Sequence, residues 1–217
     1  MKIYLPVALL ALIVTHPLLA AESPVRENRQ YLKLPDTPIG DEFRAPLIEF
    51  VYYGCDTCLK VEQSLGAWLD EEKVLRLPSV LRPSWRPAAK LWLALERIEA
   101  DPAIHRQIME ALSAKPDASL ELQALIALAV ELGADEKALQ EEVRNPDLYK
   151  TLARIDDLSS AWEVRGVPAF VVRGRFYTDA NMTNSLDNLK RVLQALMDMP
   201  GQQDVSISAA QIAVPAE

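Results

Sequence analysis

Apolar positions recur along this chain with two different periods, and the places where the period changes divide it into segments. Leu47 to Tyr53 is an almost unbroken run of branched and aromatic residues, which suits a strand covered on both faces. Immediately afterwards the period lengthens. Cys58, Val61, Leu65 and Trp68 fall three, four and three residues apart, one face of a helix, with Glu62, Asp70, Glu71 and Glu72 mostly outside it. Val74 to Leu77 then reads as a second strand, giving a β-α-β unit. Tyr31 to Leu34 reads as a short edge strand ahead of it, followed by a turn region from Pro35 to Gly40.

From Pro83 to about Arg154 the pattern is helical throughout. It predicts a helix over Trp85 to Ala100, a start at Asp101-Pro102, a helix from Leu120 to Leu132 that ends at Gly133, and another opened by Asn145-Pro146. Strand signals return in Val167 to Val172 and in Arg175-Phe176-Tyr177, and the turn residues Arg173-Gly174 between them predict a hairpin. A last helix from about Ser185 to Met199 puts Leu186, Leu189, Leu193, Leu196 and Met197 on one stripe. The expected class is α/β: one domain from residues 22–82 and 155–199, interrupted by a helical insertion over 83–154. Residues 200–217 have no clear period beyond Val205-Ser206-Ile207 and are expected to form a mobile tail. There is no internal repeat and no glycine-rich phosphate loop.

The first residues bear on where the chain works. Lys2 precedes an apolar stretch from Ile3 to Val14 interrupted by Pro6, and Pro17-Leu18-Leu19-Ala20-Ala21 offers small residues for cleavage after Ala20 or Ala21, so residues 1–21 read as a secretory signal peptide. The stretch is short for a spanning helix, and Leu120 to Leu132, shorter than a span, carries Glu121 and Glu131. The formal charge is −8, and losing residues 1–21 removes one base and no acid, which argues against nucleic acid as a partner. With 50% apolar residues the chain can bury a core without disulfide staples.

That frees its only two cysteines for chemistry. Cys55 and Cys58 stand in the order C-x-x-C where the first strand passes into the helix. Unpaired N–H groups at a helix start favour a thiolate on the first sulfur, and the spacing allows a small ring to close. A zinc half-site would need two more ligands, yet the chain has no further thiol and only His16 and His105, so no metal is expected. A structural disulfide is the other alternative, although a four-residue ring constrains the unfolded chain little. In an oxidising, extracytoplasmic space a reactive dithiol meets proteins whose cysteines must be paired.

Leu47-Ile48-Glu49-Phe50, Cys55-Asp56-Thr57-Cys58 and Arg165-Gly166-Val167-Pro168-Ala169, in this order and spacing, resemble the DsbA-type thiol:disulfide oxidoreductases of the bacterial periplasm. The resemblance covers nearly all the chain between the leader and the final helix. It implies a thioredoxin-like fold with an inserted helical domain and a redox-active Cys55–Cys58 disulfide, with no other cofactor. Cys55 would be the exposed nucleophile and Cys58 the buried resolving thiol. Pro168 matches the family's cis-proline, preceded by Val167, in a surface that pairs with extended substrates. Glu49 matches an acid that relays a proton to the buried cysteine, unless strand pairing turns it to solvent. His105 is expected at the surface, and Tyr52, Tyr53 and Trp68 in the core or a groove.

The chain departs from the prototype between the cysteines, where Asp56 and Thr57 replace proline and histidine. A lost cation and an added negative charge should both make Cys55 less acidic and the disulfide less oxidising; Val167, common in the family's oxidases, points the other way. The resemblance implies a periplasmic enzyme that introduces disulfides into reduced secreted proteins and is reoxidised by a DsbB-type membrane partner. A reductase or specialised exchange protein with few clients is the alternative within the class, and a non-catalytic binding or chaperone module the alternative outside it.

Overall fold

A computed structural model of the chain describes residues 25–115 and 120–199. The expected signal peptide and C-terminal tail lie outside these residues. Among the described residues five strands form one mixed sheet in the order β1-β5-β4-β2-β3: β1 (Leu32–Lys33), β2 (Leu47–Val51), β3 (Leu75–Pro78), β4 (Ala169–Val172) and β5 (Phe176–Asp179). β2 and β3 are parallel and joined by helix α1 (Asp56–Glu71), the expected β-α-β unit. The remaining pairs are antiparallel, with β1 on the edge.

The β4–β5 hairpin follows from its turn. Arg173 and Gly174 have φ of 53° and 64°, as a two-residue turn with both central residues left-handed requires, and the Arg175 N–H donates to the Val172 carbonyl at 3.0 Å. The Val167–Pro168 peptide ahead of β4 is cis.

Period-two alternation in β2 sends side chains to both faces, and both are covered. Leu47 packs with Val61, Leu65 and Leu69 of α1 and with Leu189, Val192, Leu193 and Leu196 of the last helix. Ile48 and Phe50 join the cluster built with the inserted helices, where Phe50 meets Trp162 edge-on at 6.1 Å. Within α1, Cys58, Val61 and Leu65 are buried where the spacing put them, but at the last position of the stripe Leu69 is fully buried and Trp68 only partly. In the last helix Val192 is buried, and Leu186 and Met197 only flank the core.

The insertion consists of α2 (Arg86–Arg97), α3 (Ala103–Ala114), α4 (Leu122–Glu131), α5 (Glu136–Glu142) and α6 (Pro146–Ala161), with α5 not separately predicted. Its starts use the expected residues: Asp101 Oδ1 accepts from the Ala103 N–H at 2.9 Å, and Asn145 Oδ1 from the Asp147 N–H at 3.0 Å. Gly133, φ 106°, follows α4 where a left-handed residue is needed. Helix α6 runs on past residue 154, so one continuous helix joins the insertion to the sheet domain. After β5 come the short α7 (Ala180–Thr183) and α8 (Leu186–Asp198), the latter capped by Ser185. Among the described residues no helix is long and apolar enough to cross a membrane.

Candidate active site

Cys55 is the N-cap of α1, with extended backbone at φ −112° and ψ 102°, and its Sγ accepts the Cys58 N–H at 3.1 Å. A helix needs such an acceptor because its first N–H groups have no partner inside it, and a sulfur in that place has its negative charge stabilised. Cys55 and Cys58 are joined in a disulfide with Cα atoms 5.2 Å apart. The two ends differ in access: Cys55 is part-exposed and Cys58 is only 1% exposed. Cys55 Sγ lies 3.6 Å from the Val167 carbonyl, which brings the cis Val167–Pro168 segment against the disulfide; Val167 is part-exposed and Pro168 buried.

Asp56 and Thr57 face solvent in the first turn of α1. The Asp56 carboxylate accepts a hydrogen bond from the Ser113 hydroxyl of α3 at 3.0 Å, a link between the motif and the insertion that local sequence does not signal. Tyr52 stacks on Trp85 at 4.2 Å, while Tyr53 packs against Trp92 at 4.9 Å. Trp68 does not join them: Lys190 lies over its ring, on the opposite face of the sheet.

Glu49 points inward. It is 2% exposed and stands opposite Arg76 in the β2–β3 register, with Arg76 Nε 3.4 Å from its carboxylate. The same guanidinium also binds Glu62 at 3.0 Å and Asp70 at 2.7 Å, so Glu62 and Asp70 are engaged rather than idle on the outer face of α1. Burial pushes the Glu49 carboxyl up to about 8, Arg76 opposes the rise, and the Glu62 and Asp70 charges add to it. Burial thus makes Glu49 hold its proton to higher pH than an ordinary carboxyl does. Arg76 could have been suspected as a base inside an apolar strand beside one carrying a buried acid.

Glu49, Cys58, Arg76, Trp92, Glu96 and His105 line one cavity of about 260 Å³ between the sheet domain and the insertion. His105 corrects the expectation of a surface residue. Its side chain is 12% exposed, Nε2 is 3.0 Å from a Glu96 carboxylate oxygen, Nδ1 is 2.7 Å from the Tyr53 hydroxyl, and its ring lies 4.1 Å from that of Trp92. Packing against α2 and Tyr53 covers it, and neither contact is readable from helical period. Among the described residues no group of three or more His, Cys, Asp or Glu is arranged to hold a metal ion.

A redox disulfide at the start of the helix between two parallel strands, set against a cis-proline, defines a thioredoxin-fold enzyme of dithiol–disulfide exchange. Residues 62–194 match the DSBA-like thioredoxin domain, and the chain belongs to that family; the match begins just beyond the two cysteines. Among curated relatives, the thiol:disulfide interchange protein DsbA of Azotobacter vinelandii is 23% identical over 179 residues, 80% of this chain and 84% of its own length. That of Burkholderia cepacia is 25% identical over 172 residues, 77% of this chain and 81% of its own. The crystal structure of Pseudomonas aeruginosa DsbA superposes with a TM-score of 0.73 at 19% identity, covering 80% of this chain and 93% of that one. The protein is a thiol:disulfide oxidoreductase whose working group is the Cys55–Cys58 disulfide.

Proposed function

We propose that this protein introduces disulfide bonds into reduced secreted or periplasmic proteins, with Cys55 as the attacked sulfur, Cys58 as the leaving and resolving sulfur, and Glu49 as the acid that serves Cys58. The unequal setting of the two sulfurs carries the reading. A client thiolate reaches the part-exposed Cys55, bonds to its Sγ, and breaks the Cys55–Cys58 bond; the electron pair goes to Cys58, which takes a proton from Glu49. A second client thiolate then attacks the client sulfur of the mixed disulfide, forms the client disulfide and expels Cys55 as a thiolate. The Cys58 N–H at the helix start stabilises that thiolate, which favours reduction of this enzyme and oxidation of the client. The Val167 carbonyl and Pro168 beside the sulfur suit an extended client segment.

Residues 1–21 would carry the chain to the periplasm, and a DsbB-type membrane protein would restore the disulfide. Asp56 favours the second reading, a reductase or specialised exchange protein, because its negative charge beside Cys55 destabilises the thiolate. The equilibrium potential against glutathione separates the two. Disulfide introduction predicts a value above about −230 mV, whereas a value near or below about −270 mV, the thioredoxin range, would overturn it in favour of reduction.

A further inference from the structure

Between helix α6 and strand β4 runs the segment that carries the Val167 carbonyl. The Val164 N–H still donates back into α6, to the Ser159 carbonyl at 2.9 Å, and β4 begins at Ala169. The residues between them, Arg165 to Pro168, set where that carbonyl stands, 3.6 Å from Cys55 Sγ. The Arg165 side chain does little to hold them. Its ion pair with Glu163 is exposed at both partners, and such pairs are weak in water.

A tyrosine from β5 does more. Tyr177 is buried, opposite Val171 of β4 and Leu32 of β1. Its hydroxyl donates to Asp179 Oδ2 at 3.0 Å, and its oxygen accepts a hydrogen bond from the Arg165 backbone N–H. Asp179 is fixed in turn, because its Oδ1 accepts the Met182 N–H at 2.9 Å and caps α7. Burial, and then the Asp179 charge, push the Tyr177 hydroxyl above its ordinary range, so it keeps the proton it donates. A phenylalanine, such as Phe176 beside it, would fill the same space. What the oxygen adds is a link from β5 and α7 to the segment ahead of Pro168.

We propose that Tyr177 is a positioning residue for client binding: its hydroxyl holds Arg165 and so presents the Val167 carbonyl, ready formed, to a backbone N–H of an extended polypeptide beside its cysteine. The inference rests on the reading of Val167 and Pro168 as the client-pairing surface. Tyr177 acts through Arg165 and takes no part in the exchange of electrons. Holding the segment in its binding geometry before the client arrives removes an ordering cost from association, so the hydroxyl acts on client affinity. A thiol without a peptide backbone, such as dithiothreitol, makes no use of it.

The test is reduction of the full mature protein by dithiothreitol, by an extended dithiol peptide, and by the same peptide N-methylated at the residues flanking its attacking cysteine. Wild type should favour the unmethylated peptide, which alone can donate to the Val167 carbonyl. Tyr177→Phe should raise the KM for that peptide roughly 5-fold to 30-fold, the factor that a lost buried hydrogen bond brings, with kcat held. It should lose most of the preference over the methylated peptide, yet react with dithiothreitol at the wild-type rate and keep the wild-type reduction potential. Amide hydrogen exchange supplies a readout that needs no variant: the Arg165 N–H should exchange slowly in wild type. Equal use of both peptides by wild type would overturn the client-pairing surface and the role of Tyr177 with it. A preference that survives intact in Tyr177→Phe, or an Arg165 amide that exchanges like an exposed one, would overturn the role of Tyr177 and leave the surface standing. Slower reaction with dithiothreitol, or a shifted potential, would make Tyr177 a packing residue of the sheet only.

Discussion

At Glu49 the scale is one carboxyl group, 2% exposed, sharing a single guanidinium with two other acids. Removing it from water costs more than Arg76 returns, so its folded value rises to about 8 from 4.5. The group keeps its proton in the folded chain where the unfolded chain has lost it. Stability is therefore complete below about 4.5, falls as pH rises towards about 8, and is level above that. Urea unfolding of the oxidised protein at several pH values should show wild type losing up to about 1.4 kcal/mol per pH unit across this window relative to Glu49→Gln. Parallel curves for the two proteins would place the ionised carboxylate in the folded state. Asp56 provides a second prediction at this scale. For an exposed charge ~6 Å from a thiolate, a water-like medium gives about 0.7 kcal/mol, or on the order of 15 mV, so Asp56→Asn should raise the reduction potential by about that much. Ser113→Ala, which removes the hydroxyl donor from Asp56, should lower it, and should do nothing in the Asp56→Asn background. An equal shift in both backgrounds would detach Ser113 from the motif.

Helix α1 makes two identical side chains unequal. Its N-cap position presents Cys55 with an N–H at 3.1 Å, and its first turn carries Cys58 into the buried core, 1% exposed. In single-cysteine variants of the reduced protein, Cys58→Ser should be alkylated rapidly by iodoacetamide at neutral pH and Cys55→Ser slowly, as read by mass spectrometry. The opposite order would exchange the roles of the two sulfurs. Helix α6 illustrates the same dependence on caps: Asn145 accepts the Asp147 N–H, so Asn145→Ala should cost about 0.5–2 kcal/mol in urea unfolding.

Over the whole molecule the insertion is not an appendage. One continuous cluster of buried residues runs from Ile48 and Phe50 of β2, through Cys58 of α1, to Leu91 of α2, Ile108 of α3, Leu125 of α4 and Ile155 of α6. Elements that share a core lose it together, so far-ultraviolet circular dichroism and tryptophan fluorescence should report one coincident unfolding transition. Leu91→Ala, at a fully buried position, should move both probes together by about 2–5 kcal/mol. Separate midpoints would mean that the sheet domain and the insertion fold independently.

The elements were legible in the sequence because period, turn and cap preferences are local properties of the backbone and its neighbouring side chains. Leu47–Val51 as a doubly covered strand, the hairpin at Arg173-Gly174 and the C-x-x-C at a helix start all belong to that kind of information, and the inward acid Glu49 was readable once the family resemblance was seen. Stripe positions within a helix were less secure: Leu69, not Trp68, is buried, since that depends on how α1 lies on the sheet. What only the tertiary structure decided is which side chains meet across long separations. Glu49 meets Arg76 because β2 and β3 pair in one register, Asp56 meets Ser113 because α3 ends beside the motif, and His105 is covered because Tyr53, Trp92 and Glu96 close around it. Each of these contacts comes from packing between segments whose local patterns carry no record of one another.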